Sequence, residues 1–284
     1  SHGEEVIAIS RRPANLMEDV ESVNADLIEP EQYAKILDRC RAVVYLASRS
    51  TPGSSAGRPV DEVRGNLLPL ATLLQAMQSK PQVELLYLSS GGSLYQSTPD
   101  EPATEAAQTQ PRSYHGAAKI AAEYLIHAWC QQYGGRATLL RPSNIYGPGQ
   151  IERPAFGIVP ACFGRVARGE TLPVWGDGSI VRDYLYIDDF VSLCLAILAS
   201  PMLAGARILN VSSGTGVSLN ELFRAIERIT GKPLARSYEL DRPVDARQIV
   251  MDSAMARDRY GWTPATPLEE GLRKTWDWFN STRH

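Results

Sequence analysis

The chain has 284 residues, 44% apolar and 21% charged, which suits one large globular domain or two that share a core. Its net charge of −3, with no long basic run, argues against a nucleic-acid partner. The longest apolar run, near 190–199, is too short to cross a bilayer, and residues 1–12 lack the core of a signal peptide. The expectation is therefore a cytoplasmic protein with no membrane partner.

Val6–Ile9 reads as a short apolar strand. Glu31–Arg39 suits a helix, with Pro30 as its start signal. Ala42–Leu46 follows as a buried strand and Leu67–Met77 as an apolar helix. Leu85–Leu88 is a strand, Ala117–Trp129 a helix and Ala137–Leu140 a strand. This alternation predicts an α/β fold with a doubly wound parallel sheet over residues 1–146. Beyond Gly147 the pattern turns mixed and Pro-rich. It predicts a smaller α/β lobe over 147–284, with segments near 181–200 returning to the first sheet. The scattered cysteines (Cys40, Cys130, Cys162, Cys194) read as reduced thiols, and the histidines show no metal-ligand spacing, so no metal is expected.

Several segments carry chemistry. In Val174–Asp189, Gly176-Asp177-Gly178 is a turn and Tyr184–Ile187 suits a strand. Asp188 and Asp189 suit a helix N-terminus, where carboxylates meet orphan N–H groups. Arg182 stands at the strand mouth, where a guanidinium can hold an anion bidentately. Arg141–Gly149 reads RPSNIYGPG, Leu88–Tyr95 reads LSSGGSLY, and SYHGAAKIAAEY follows from Ser113. From Glu5 to Phe279 the chain resembles the extended short-chain dehydrogenase/reductases. Within them it resembles the NAD-dependent nucleotide-sugar epimerase/dehydratase family (UDP-glucose 4-epimerase-like), which has a Rossmann-like sheet.

The resemblance implies NAD or NADP as cofactor. Such a domain opens with a strand and a G-x-G-x-x-G turn. Here SHGEEVIAIS reads as a helix end followed by the second strand, and the glycine runs at Gly147, Gly176 and Gly214 each lack the third glycine. The expectation is an N-terminal truncation of roughly 20–30 residues that removes the first strand and glycine turn. Where an acidic residue normally meets the ribose, this chain has Ser10-Arg11-Arg12, which suits either a basic loop or a 2′-phosphate. Asp26-Leu27 resembles the pair beside the adenine, and Leu46-Ala47-Ser48 the loop under the cofactor. Asn66, placed at a helix start, resembles a supporting asparagine, and Ser143 borders the nicotinamide side. Asn144, Trp175, Arg182, Arg242 and Asp245 resemble contacts to a nucleotide-diphosphate sugar.

The family's catalytic helix carries Tyr-x-x-x-Lys. Spacing i,i+4 puts both side chains on one face, where the ammonium favours tyrosinate and holds the cofactor ribose. Four residues before Lys119 this chain has His115, and Tyr114 is five before. Three readings follow. His115 is a neutral acid/base beside Lys119; or the helix begins at His115 and Tyr114 serves from an irregular preceding turn; or the protein binds without catalysing. The usual hydroxyl position falls on Gly91, with Ser90 and Ser93 as the nearest substitutes. The acidic pair of 4,6-dehydratases falls on Gly92-Ser93, which favours an epimerase that works through a 4-keto sugar over a dehydratase; a 4-ketoreductase is a further option. The Leu67–Met77 helix (Leu67, Leu68, Leu70, Leu73, Leu74, Met77) is apolar on more than one face and points to a homodimer, as family members often pair this helix with the catalytic one.

Overall fold

A computed structural model describes residues 4–11, 20–96, 101–153, 156–201, 204–241 and 246–282. The first half holds β1 (Val6–Ser10), β2 (Val20–Asn24), β3 (Ala42–Tyr45), α1 (Pro59–Glu62), α2 (Leu68–Met77), β4 (Glu84–Leu88), α3 (Tyr114–Tyr133) and β5 (Arg136–Pro142). The second half holds β6 (Asn144–Tyr146), α4 (Ile158–Arg168), β7 (Leu172–Trp175), β8 (Val181–Tyr186), α5 (Ile187–Ala199) and β9 (Gly205–Val211). It ends with β10 (Gly216–Ser218), α6 (Leu219–Thr230), β11 (Arg236–Glu239), β12 (Gln248–Ile249), α7 (Ala254–Tyr260) and α8 (Leu268–Ser281).

The main sheet is parallel throughout, in the order β3-β4-β5-β9, and β1 and β2 form their own parallel pair. A parallel sheet must be covered on both faces, and β4 shows how. Its Leu85 and Tyr87 join the core under α2 and α3, while Leu86 faces Phe190, Leu193 and Ile197 of α5. Ile9, Val23 and Leu27 pack the β1–β2 pair against the first of these cores. A second, mixed sheet is built on β8, which pairs with β6, β10 and β12; β7 pairs with β11.

The α/β parallel architecture agrees with the expectation, and several local features differ. Of the 181–200 stretch, α5 packs on the main sheet, but strand β8 belongs to the second sheet. The strand that returns is Gly205–Val211, beside β5. Strand β2 (VESVN) carries no apolar run that would mark it in the sequence, because only Val20 and Val23 are apolar. Glu31–Arg39 is two short 3-10 turns, Pro30–Gln32 and Ala34–Arg39. Between them Tyr33 turns inward and its hydroxyl donates to the Leu27 carbonyl. The Leu67–Met77 helix begins at Leu68, after α1 and a widened π turn over Val63–Leu67. Its Leu70, Leu73, Leu74 and Met77 are buried within the chain's own core, so those residues give no partner surface. Asp189 accepts from the backbone N–H groups of Ala265 and Thr266, so it staples the C-terminal segment to α5.

Helix α3 positions the site. Ser113 caps it, its hydroxyl accepting from Gly116 N–H at 3.1 Å, and Gly134 closes it at φ 72°. His115, Lys119 and Glu123 recur every four residues, so they share one stripe, and all three are buried. At the inner end, Arg141 of β5 holds Glu123 with two bonds, Nε to Oε1 at 3.0 Å and Nη2 to Oε2 at 2.6 Å. Ser89 donates to the same carboxylate at 2.5 Å. Arg141 also donates to the Tyr95 hydroxyl, which donates to Asn210 of β9. At the outer end, a Cβ on Gly116 would stand 2.5 Å from the Ser93 carbonyl oxygen, so glycine is what lets the helix approach that loop.

Glu123→Ala leaves a buried guanidinium uncompensated and is expected to cost about 3–5 kcal/mol in urea denaturation. Replacing both Glu123 and Arg141 by apolar residues of similar volume is expected to recover much of that loss. Gly116→Ala presses on backbone rather than on a flexible side-chain end, and its expected cost is about 1–3 kcal/mol by the same assay.

Candidate active site

Strands β3, β4 and β5 run parallel, so the segments after them emerge along one edge. Those segments are Leu46–Ser48, Ser89–Ser93 and Ser143, and crevices beyond strand carboxyl ends are where open α/β sheets bind ligands. Helix α3 brings its first two turns to this edge, where Lys119 Nζ donates to the Leu88 carbonyl at 2.7 Å.

Around His115 lies a connected polar cluster. Its Nδ1 is 3.0 Å from Ser50 Oγ and 3.7 Å from Glu62 Oε1. Ser50 donates to Glu62 Oε1 at 2.9 Å, and Asn66 Nδ2 donates to Glu62 Oε1 at 2.7 Å and to Ser50 Oγ at 2.9 Å. Asn66 also accepts from Arg49 N–H through Oδ1, and His115 N–H donates to Ser55 Oγ. Burial, with help from Lys119 and against the pull of Glu62, lowers the His115 pKa to about 4. Burial likewise lowers the Lys119 pKa to about 8, opposed by Glu62 and Glu123. Near neutral pH the imidazole is therefore uncharged and the ammonium mostly charged. The Lys119 ammonium also stands 5.0 Å above the Tyr87 ring.

The structure thus brings His115, Lys119 and Asn66 together. It adds Ser50 and Glu62, which the sequence reading missed. Glu62 sits four residues before Asn66, a spacing that could have linked them, but nothing local tied either to His115. Asn66 opens no helix. It lies inside the π turn, an irregularity that recurs at functional sites. Helix α3 begins at Tyr114, one residue earlier than the Tyr114 reading requires, and leaves that side chain 46% exposed. Ser93 donates to Ser90 at 2.8 Å. Between them, Gly91 is faced by the side-chain end of Met251, 2.0 Å from where a Cβ would be, so Met251 fills the usual hydroxyl position.

The other expected contacts are dispersed. Ser10 ends β1, its carbonyl accepting from Ala25 N–H; Arg11 is exposed, and Arg12 lies outside the described residues. Asp26 accepts from Ile28 N–H in a tight local turn, and Leu27 packs on the core. Leu46, Ala47 and Ser48 are exposed. The Ser143 hydroxyl is buried near the Asp183 carboxyl without a hydrogen bond of normal geometry. In the second sheet, Asn144 Nδ2 donates to the Asp183 carbonyl at 2.9 Å, and Arg182 donates to the Val181 carbonyl at 2.8 Å. Buried Asp183 accepts from Ser213 N–H and Oγ and from Gly214 N–H, which ties the loop after β9 to β8. Trp175 is 40% exposed at the end of β7. Arg242 and Asp245 lie outside the described residues.

Comparison with known proteins places this geometry in context. The model of the NAD dependent epimerase/dehydratase family matches residues 1–212. A UDP-glucose 4-epimerase of Mycolicibacterium smegmatis is 28% identical over 262 residues, covering 92% of this chain and 83% of that one. The crystal structure of a UDP-glucose 4-epimerase from Thermotoga maritima with UDP-glucose superposes with a TM-score of 0.92 at 28% identity, covering 100% of this chain and 93% of the other. That of a Thermus thermophilus UDP-glucose 4-epimerase complex with NAD gives 0.91 at 28% identity, over 99% and 93%. A family match over most of the chain, with the helix, sheet edge and loops described above, identifies this protein as a member of the NAD-dependent epimerase/dehydratase family.

Proposed function

We propose that the protein interconverts nucleotide-diphosphate sugars at one carbinol centre through a transient 4-keto sugar, with His115 as the group that takes and returns the hydroxyl proton. The observation that carries this reading is a buried, uncharged imidazole on the inner stripe of α3, one turn from Lys119. A general base needs a free lone pair near neutral pH, and this ring has one. Ser90 and Ser93 are the hydroxyls available to hydrogen-bond the reacting sugar.

The chain's residues fit NAD. Ser143 offers a buried hydroxyl without a normal partner, Lys119 an ammonium with donors to spare, and Leu46–Ser48 an exposed run at the strand edge. Asp26, Leu27, Ser10 and Arg11 stand at the ends of β1 and β2, and Asn66 braces the site. NAD, when bound, supplies the hydride acceptor and donor. His115 removes the proton as the sugar is oxidised and returns it once the keto sugar presents its other face. Lys119 fixes the cofactor and disfavours a lasting imidazolium. Asn144, Trp175 and Arg182 hold the nucleotide diphosphate, with Arg242 and Asp245 proposed beside them; a guanidinium is suited to diphosphate oxygens.

Two further proposals go with this reading. The exposed apolar side chains of Val60, Val63, Leu68, Tyr124 and Leu125 on and around α1, α2 and α3 form the face through which a homodimer pairs. Free cysteines fit a reducing cytoplasm, and among the described residues no helix is long and apolar enough to cross a membrane.

With NAD present, incubation with UDP-glucose is expected to yield the 4-epimer by proton NMR, and Lys119→Ala to abolish turnover at unchanged thermal stability. Absence of product from a panel of UDP- and dTDP-sugars, or activity retained in Lys119→Ala, refutes the reading. The pH profile is a separate check. The base works when neutral and the lysine when charged. Activity should therefore hold between about pH 5 and 7, fall through about 4 as His115 takes up a proton, and fall above about 8 as Lys119 loses one.

A further inference from the structure

We infer that Glu62 and Ser50 are positioning residues that hold His115 in the Nδ1–H form and so leave Nε2 as the proton acceptor. This rests on the reading of His115 as the base, yet the geometry behind it stands apart from any turnover.

Ser50 Oγ has three polar neighbours: Glu62 Oε1 at 2.9 Å, Asn66 Nδ2 at 2.9 Å and His115 Nδ1 at 3.0 Å. Asn66 Nδ2 is a donor, so Ser50 accepts from it. The hydroxyl has one proton to give, to the carboxylate or to the ring. Given to the ring, it would leave two oxygens facing each other at 2.9 Å with no proton between them, beside a carboxylate that is only 4% exposed. Such an unpaired contact is costly away from water. Given to the carboxylate, it makes the stronger, charge-assisted bond and leaves Ser50 a second lone pair for the ring. The ring then donates, and the proton is on Nδ1.

The remaining contacts agree. Glu62 Oε1 lies 3.7 Å from Nδ1, on the side where a carboxylate favours an N–H. Asn66 braces both Glu62 and Ser50 from the π turn, and its own oxygen is fixed by Arg49 N–H. Nε2 makes no hydrogen bond among the described residues. The charged groups facing the ring are Lys119 on its own helix and Glu62 on α1. When Nε2 takes the sugar hydroxyl proton, the imidazolium keeps donating its Nδ1–H to Ser50 and the Ser50 hydroxyl keeps donating to Glu62. One proton enters at Nε2 as the C–H hydrogen leaves as hydride, which bound NAD would accept, and the same proton would pass to the keto oxygen as NADH gave that hydride back. Glu62 stabilises the transient cation without being protonated, as an orienting carboxylate does behind a catalytic imidazole.

The test reads the tautomer directly. Protein labelled with 15N-histidine is examined at pH 7 by long-range 15N–1H correlation, without cofactor or sugar, and His115→Gln identifies the His115 signals. The expected pattern is a protonated Nδ1 and a bare Nε2. Ser50→Ala is expected to release the ring to the Nε2–H form and to lower kcat about 100-fold with KM within about threefold. Ser50→Thr, which restores a hydroxyl, should recover both. A wild-type ring protonated at Nε2 overturns the inference with no variant needed, as does a Ser50→Ala protein that keeps Nδ1–H. Wild-type protein with the expected tautomer but no turnover on any nucleotide sugar keeps this assignment and rejects the epimerase reading instead.

Discussion

The site depends on the ion pair between Glu123 and Arg141. A carboxylate and a guanidinium, both nearly without water, are tolerated only because two direct bonds and the hydroxyls of Ser89 and Tyr95 satisfy them. This pair sets where α3 sits against the end of β4 and the start of the loop after it. Lys119 and His115 hang from the same stripe, one and two turns away, so their positions follow from it. Tyr95 and Asn210 carry the network on to β9 and tie the second half of the chain to the same anchor.

In the proposed reading an imidazole stands where the family carries a phenol, and that changes what the surroundings have to supply. A tyrosine at this place needs a cation to draw its pKa down toward neutrality. A buried histidine is already uncharged, and a neighbouring lysine only makes it more so. What an imidazole needs is orientation, since its two nitrogens are not equivalent. In the proposed reading Ser50, Glu62 and Asn66 meet that need, with a hydroxyl, a carboxylate and an amide that braces both. Gly116 on the helix and Gly91 in the loop after β4 set how closely the two approach. One admits the helix to the Ser93 backbone, and the other leaves room that Met251 fills.

The second half of the chain is held by two buried carboxylates that bond to backbone. Asp183 clasps the loop after β9 to β8, and Asp189 clasps the segment at Ala265 and Thr266 to α5. Each satisfies N–H groups that a loop would otherwise bury unpaired. The strand that carries Arg182 and the strand that carries Asn144 are neighbours in one sheet, so the side chains proposed to hold the diphosphate share a rigid support.

Much of this was legible in the sequence because it is local. The apolar runs of β1, β3, β4 and β5, their alternation with helices, and the four-residue spacing of His115 and Lys119 follow from periodicity alone, and the motif-bearing segments carried the family resemblance. Pairing across the chain was not legible. Ser50 and His115 are 65 residues apart, and no pattern in either neighbourhood announces the other. The polar strand β2, the break at Tyr33, the π turn that moves Asn66 off a helix start, and the exit of β8 to its own sheet were likewise decided by packing and hydrogen bonding. By itself the sequence determined the fold class and which residues of α3 share a face, because spacing along a helix or strand is a short-range property. Only the tertiary structure decided which hydroxyl and which carboxylate stand behind the imidazole, because buried polar groups take their partners from whatever the fold brings within about 3 Å.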